Sequence, residues 1–462
     1  MSRPSAPVPP VAVESPASPG SFRLLRLDLR TPDATTLAAR DALFRRGAVP
    51  DPAVREAARA ILADVRTRGA IAVGEAAQRF GGGRPDGRLL LARSELLAAR
   101  DALSRAERRA LETAIANVEA FAMTQRPTAS TRTTITPGVE LERRWLPVSR
   151  VGAYVPGGSA PYPSSLIMSV VPARVAGVGT VIVASPADRD GNVHPVLLGA
   201  AGLLDVDAFL VAGGVQAIGA LAYGLPDIGL DPVDLVVGPG SAWVTAAKIE
   251  IVGETGIDMP AGPSEGLVLA DADADPVTVA ADLITQAEHG VDSPALLVTP
   301  SESLADAVEA EVARRLETSL RKDILARSLD EHGRIVLVPD IAAGIDFVNG
   351  YGPEHLSVDI VDLEGAVSAI RNAGSIFVGR WSPEAAGDYA SGANHVLPTG
   401  GLARCCGALS VETYGKYNQV QRITREGLET LRPSIRTLAE AEGLLAHRDA
   451  VEARFETPEE PR

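Results

Sequence analysis

From residue 150 onward, short apolar runs rich in Val, Ile, Leu and Ala recur along the chain at 151–155, 180–184, 208–212, 234–237, 267–270, 295–299, 335–338 and 375–378. Stretches of helix length separate them. This alternation predicts parallel sheets assembled from strand–helix–strand units. Before residue 150 the pattern is helical and clearly punctuated. Asp51 is placed to cap a helix whose first residue is Pro52, and Gly69 stands where such a helix would end. Ser104 and Glu107 form a capping box that opens a second helix, which Pro127 stops. After Val378 the chain returns to loop and helix and closes in a charged tail over 457–462, with no internal repeat.

Composition narrows the class of protein. At 462 residues the chain is long enough for two or three domains with well-buried cores. With 44 Lys and Arg against 59 Asp and Glu, the net charge of −15 repels phosphate backbones and anionic membranes, so neither nucleic acid nor membrane is expected as a partner. The apolar runs are too short to span a bilayer. The two cysteines, Cys405 and Cys406, are adjacent and make no Cys-x-x-Cys pair. The absence of a disulfide framework fits a reducing cytoplasm. The Pro-, Ser- and Ala-rich residues 1–22 have no apolar signal core and are expected to form a disordered tail.

Three Gly-rich turns each follow an apolar run: Val-Pro-Gly-Gly-Ser-Ala-Pro at 155–161, Ala-Gly-Gly-Val-Gln at 212–216 and Val-Gly-Pro-Gly-Ser at 237–241. Ligands of open α/β sheets sit at such places, but a simple strand-to-helix connection looks the same. No complete Gly-x-Gly-x-x-Gly or phosphate-loop signature is present.

Of six histidines, His194 and His332 lie in polar loops and read as surface residues. Asp275, Pro276 and Gly290 bracket a helix whose last turn holds Gln286 and His289. Three residues apart, they present an amide oxygen and an imidazole side by side, which suits a metal taking mixed N and O ligands. The other reading is a histidine interacting with the helix dipole. Glu354 and His355 stand together at a strand entrance, either as acid and base in a cleft or as a surface pair. Asp388, Asn394 and His395 share a loop of small residues that would allow backbone approach to a ligand. Glu442 and His447 are expected on one final helix after Pro433, facing different ways.

Taken together, five blocks resemble the histidinol dehydrogenase family: 155–161, 256–265 (Gly-Ile-Asp-Met-Pro-Ala-Gly-Pro-Ser-Glu), 286–290, 351–356 (Tyr-Gly-Pro-Glu-His-Leu) and 387–399 (Gly-Asp-Tyr-Ala-Ser-Gly-Ala-Asn-His-Val-Leu-Pro-Thr). The resemblance runs from about Asp51 to the final helix. It implies two incomplete doubly wound, Rossmann-like α/β domains with mainly parallel sheets and a helical C-terminal arm. The implied divisions are a helical segment over 23–150 packing with the second α/β part, an NAD-side α/β domain over 151–264, a zinc-bearing catalytic domain over 265–402, and an arm over 403–462 that crosses to the partner of a homodimer. The implied chemistry is oxidation of L-histidinol to L-histidine through bound L-histidinal, the last steps of histidine biosynthesis. One Zn2+ per subunit would be held by Gln286, His289, Asp388 and His447. Glu354 and His355 would be the acid–base pair, and NAD would meet Tyr154, Gln216 and Ser241. Substrate would touch Ser264, Gln286, His289, His355, Asp388, Glu442 and His447, the arm residues serving the partner's site.

Two departures from the family pattern stand out. Ser241 occupies the place of an Asn, keeping a hydrogen-bonding group with less reach. The stretch 403–424, with Cys405, Cys406 and Tyr414, differs from a more apolar pattern. A paralogue oxidising another small alcohol, such as a sulfonated diol, would be expected to lose one of the groups that meet the imidazole or carboxyl-bearing end, and none is lost. A non-catalytic zinc-binding homologue would have no use for Glu354 and His355.

Overall fold

Every apolar run predicted after residue 150 becomes a strand in the computed structural model, which describes residues 23–157 and 160–456. The segments 1–22 and 457–462, expected to be tails, lie outside the described residues, as do positions 158–159. The chain divides into two compact units, Met1–Arg46 with Pro263–Glu384, and Gly47–Gly262 with Ala385–Arg462.

The first unit is built on a six-stranded, wholly parallel sheet. Its order is Leu25–Asp28, Arg334–Leu337, Ala295–Thr299, Gly266–Ala270, His355–Asp359, Ser375–Val378. Successive side chains of a strand point to opposite faces, and here both faces are buried. Val268 and Ala270 pack in one cluster with Val279, Leu283 and Val308, whereas Leu267 and Leu269 pack in another with Phe347, Val348 and Leu356. The helix Pro276–Ala287 starts as its sequence predicts, with Asp275 accepting from the Val277 N–H and Pro276 at the first position. It ends earlier than expected. Glu288 caps it, and His289 lies just beyond the last turn.

The second unit carries the order Leu90–Leu91, Ala208–Val211, Thr180–Ser185, Arg150–Tyr154, Leu235–Val237, Gly256–Ile257, parallel except for the short first strand. Strand order reverses between Arg150–Tyr154 and Leu235–Val237, which makes that pair the topological switch point. Helix Pro52–Arg68 keeps the predicted cap and ends on Gly69 at φ 55°, and Arg105–Thr124 has the predicted capping box. The helical segment expected to pack with the second α/β part joins this sheet instead from Gly47 onward. Ala58, Leu62 and Val65 of Pro52–Arg68 share a core with Ile182, Leu210 and Ile218, so an apolar stripe that the sequence left unassigned finds its partner here.

Two features differ from the sequence reading. A three-stranded antiparallel sheet, Gly415–Ile423, Val139–Pro147, Ser130–Thr136, stands where loop and helix were expected. Its strands are largely exposed and rich in Thr, Arg and Glu, so they lack the buried apolar signal. The single final helix is in fact two, Arg425–Ala441 and Leu445–Glu456. Pro433 lies inside the first, and the break comes at Gly443, whose φ of 72° is left-handed. Among the described residues no helix is long and apolar enough to cross a membrane.

Candidate active site

In the first unit, parallel pairing sets Gly266 directly beside His355 at the amino ends of two central strands. The residues just before them converge. Glu354 is buried, and its Oε2 accepts from the Ser264 hydroxyl at 2.7 Å and from the Glu265 N–H at 2.9 Å. The His355 N–H donates to the Glu265 carbonyl at 3.1 Å. Glu265 is fixed in turn by a two-pronged ion pair with Arg46 at 2.7 Å on each arm, and the Arg46 guanidinium lies over the Tyr351 ring. Such paired, planar contacts orient a carboxylate rigidly.

Burial pushes the Glu354 carboxyl well above its ordinary value. The negative charges of Glu265 and Glu384 push the same way, against the two hydrogen bonds it accepts. Burial holds the His355 imidazole below the usual histidine value, against the nearby charge of Glu384 and with that of His289. His355 Nδ1 stands 3.7 Å from Glu354 Oε2 and 4.0 Å from Glu384 Oε1. Burial thus moves the proton affinities of the two groups toward each other, the carboxyl above its ordinary value and the imidazole below its own, an arrangement suited to exchanging protons.

The helix Pro276–Ala287 runs against the strand direction, so its carboxyl end reaches this same edge. There Gln286 is 1% exposed, and neither its amide nitrogen nor its oxygen finds a hydrogen-bond partner among the described residues. Gly266 makes the space: a Cβ built on it would lie 2.7 Å from Gln286 Cγ. His289 is exposed on one side, and its Nε2 is 3.2 Å from Glu384 Oε1. Glu384 is buried and went unremarked in the sequence, because nothing local distinguishes it from other glutamates. The whole cluster sits at the amino edge of the strands, opposite to where open α/β sheets usually keep their ligands.

The other expected residues lie in the second unit. Asp388 occupies the short helix Glu384–Tyr389, one turn after Glu384. Its carbonyl is 2.9 Å from His395 Nδ1, and His395 Nε2 is 3.1 Å from the Ser165 hydroxyl. A carbonyl only accepts, so Nδ1 carries a proton. Glu442 and His447 are exposed, the first capping Arg425–Ala441 and the second on Leu445–Glu456.

Tyr154 ends the strand Arg150–Tyr154, and Gln216 and Ser241 come after Ala208–Val211 and Leu235–Val237, so all three stand at the carboxyl edge of this unit's sheet, with Thr180–Ser185 lying between the strands of Tyr154 and Gln216. Tyr154 and Ser241 flank the switch point described above, the usual crevice for a dinucleotide. Tyr154 is buried, which raises its phenol above the ordinary value, and its oxygen accepts from the Gly214 N–H at 3.1 Å. Gln216 is buried on Gly214–Tyr223, while Ser241 is exposed at the start of Ala242–Ile251.

Sheet and site together define the class as a parallel α/β protein that carries a buried carboxyl–imidazole pair at one edge of its sheet. The chain belongs to the histidinol dehydrogenase family: the family model matches residues 44–455. It is 46% identical over 434 residues to the histidinol dehydrogenase of Leifsonia xyli subsp. xyli, covering 93% of this chain and 99% of that one. The histidinol dehydrogenase of Mycobacterium tuberculosis is 46% identical over 439 residues, covering 94% and 98%. The crystal structure of histidinol dehydrogenase from Elizabethkingia anophelis superposes with a TM-score of 0.86 at 34% identity, over 94% of this chain and 98% of that one.

Proposed function

We propose that this chain is a zinc- and NAD-dependent dehydrogenase that oxidises L-histidinol to L-histidine through L-histidinal. The observation that carries this reading is the buried Glu354–His355 pair, set beside an unsatisfied Gln286 amide in a chain of this family. A buried amide without partners is costly, and a metal ion that takes its oxygen as a ligand removes the oxygen's share of that cost. Gln286 and His289 supply the mixed O and N donors that zinc accepts, and they stand at the negative end of a helix dipole, which favours a cation. Asp388 and His447 complete the proposed set. Zinc bound there would supply a Lewis acid and a template for the substrate's imidazole and amino nitrogens.

His355, neutral at pH 7 in this reading, takes the hydroxyl proton as the alcohol carbon gives hydride to the nicotinamide. Ser264 and the Glu265 N–H hold Glu354 in place. In the second step the Glu354 carboxylate would take a proton from the water as it adds to the aldehyde, and the hydrate, left as its anion, would pass hydride to a second NAD and become the acid. Tyr154, Gln216 and Ser241 are assigned to the dinucleotide. The reading carries with it a cytoplasmic homodimer, in which the exposed Glu442 and His447 of the arm serve the partner's site.

The test is NADH formation with L-histidinol, followed to completion. Two NADH per histidinol, lost with a chelator and regained with Zn2+, is the expected result; no NADH from folded, zinc-loaded protein would overturn the reading. A separate check uses Gly266→Ala. The added methyl meets the Gln286 stem, so zinc content after dialysis should fall while the circular-dichroism spectrum stays that of the parent.

A further inference from the structure

Lys248 and Asp258 form an ion pair inside the second unit, with side chains 2% and 0% exposed. Burying two charges costs several kcal/mol per ion unless further hydrogen bonds satisfy them, and a buried pair is weak as a stabiliser alone. Here two of the further hydrogen bonds go to one residue, Gly238. Asp258 Oδ2 accepts from the Gly238 N–H at 2.8 Å, and Lys248 Nζ donates to the Gly238 carbonyl at 3.0 Å. The remaining Asp258 oxygen accepts from the Met259 N–H at 2.6 Å.

Gly238 opens the turn that follows Leu235–Val237 at the switch point. Its φ of 111° is closed to other residues, and a Cβ there would lie 2.1 Å from the Tyr154 carbonyl oxygen. Both polar groups of its backbone are therefore held by one ion pair, and its Cα packs against a residue assigned to the dinucleotide. Two residues on, Gly240 and Ser241 begin the helix Ala242–Ile251, which itself carries Lys248.

We infer that Lys248 and Asp258 are positioning residues for the dinucleotide, clamping Gly238 so that the turn 238–241 is formed before the cofactor arrives. The inference rests on the NAD reading above. A turn already formed spares the cofactor the cost of ordering it. Neither side chain is asked to touch the ligand or to change its charge.

The experiment compares Lys248→Met, Asp258→Asn and the double variant with the parent protein. NADH binding by fluorescence titration, KM for NAD, KM for histidinol and the melting temperature are read for each. The double variant removes the charges together, which avoids leaving one buried and unpaired, so it is the variant expected to fold. Its dissociation constant for NADH and its KM for NAD should rise about tenfold, with KM for histidinol and zinc content unchanged. Parent-like NADH affinity in a folded double variant would overturn the inference. Equal rises in both KM values, tracking a lowered melting temperature, would also overturn it, since that is what a merely structural pair predicts. Failure of the parent itself to bind NADH would instead overturn the cofactor reading.

Discussion

His355→Asn is expected to slow alcohol oxidation by about a thousandfold, within the range that a positioned acid–base group contributes. Asparagine keeps a polar side chain of similar reach in a site that is 4% exposed, so the protein should fold and keep its metal. It has no group that can take a proton. Single-turnover reduction of NAD by histidinol, with metal content measured in parallel, separates loss of chemistry from loss of the site. Near-normal alcohol oxidation would remove His355 from its assigned role. The pH dependence follows from the direction of the shift. Because burial lowers the His355 value from 6.5, the acid limb of alcohol oxidation should lie below that value, and it should vanish in the variant.

Glu354→Gln is expected to spare the first oxidation and to cut the second by about a hundredfold or more. NADH would then stop near one per histidinol in a fast phase, with the second equivalent released slowly. The variant should also be more stable than the parent at neutral pH, and here the sign matters. The native state holds the Glu354 proton more tightly than the unfolded chain does, since its value is raised well above the ordinary 4.5. Between the two values the folded state binds more protons, so stability is full below about pH 4.5 and declines as pH rises through the raised value. Glutamine cannot ionise and escapes that decline. Melting temperatures at pH 5 and pH 8 should show the parent losing ground to the variant as pH rises. A variant no more stable at pH 8 than at pH 5, relative to the parent, would contradict the raised value.

Much of the scaffold could be read from the chain because its signals are local. Strands buried on both faces are short unbroken apolar runs, and the helix starts at Asp51, Ser104 and Asp275 are spelled out by capping residues. The antiparallel sheet escaped because Thr, Arg and Glu on exposed strands resemble loop, and its third strand pairs across a long sequence separation. Pro433 misled the reading of the arm. Proline is tolerated inside Arg425–Ala441, whereas the glycine ten residues later makes the break.

The site shows the same division. Gln286, His289, Glu354 and His355 were legible as spaced pairs and as motif blocks of a known family. Glu384 was not, because its relation to His289 spans 95 positions. The burial that shifts Glu354 and His355 was equally invisible, since it comes from packing and not from neighbours in sequence. Lys248 left a faint trace, a lysine in the otherwise mostly apolar Ala242–Ile251.

His355 is the first residue of a strand flanked on both sides by others, and its amide is bonded to the Glu265 carbonyl at 3.1 Å. Frayed edges and loop tips open many times for each time an interior strand does. A group assigned to catalysis and rooted there has no private backbone motion through which to be lost. Among the peptide protons of the first unit, the last to exchange with heavy water should therefore include those on either side of Glu354 and His355.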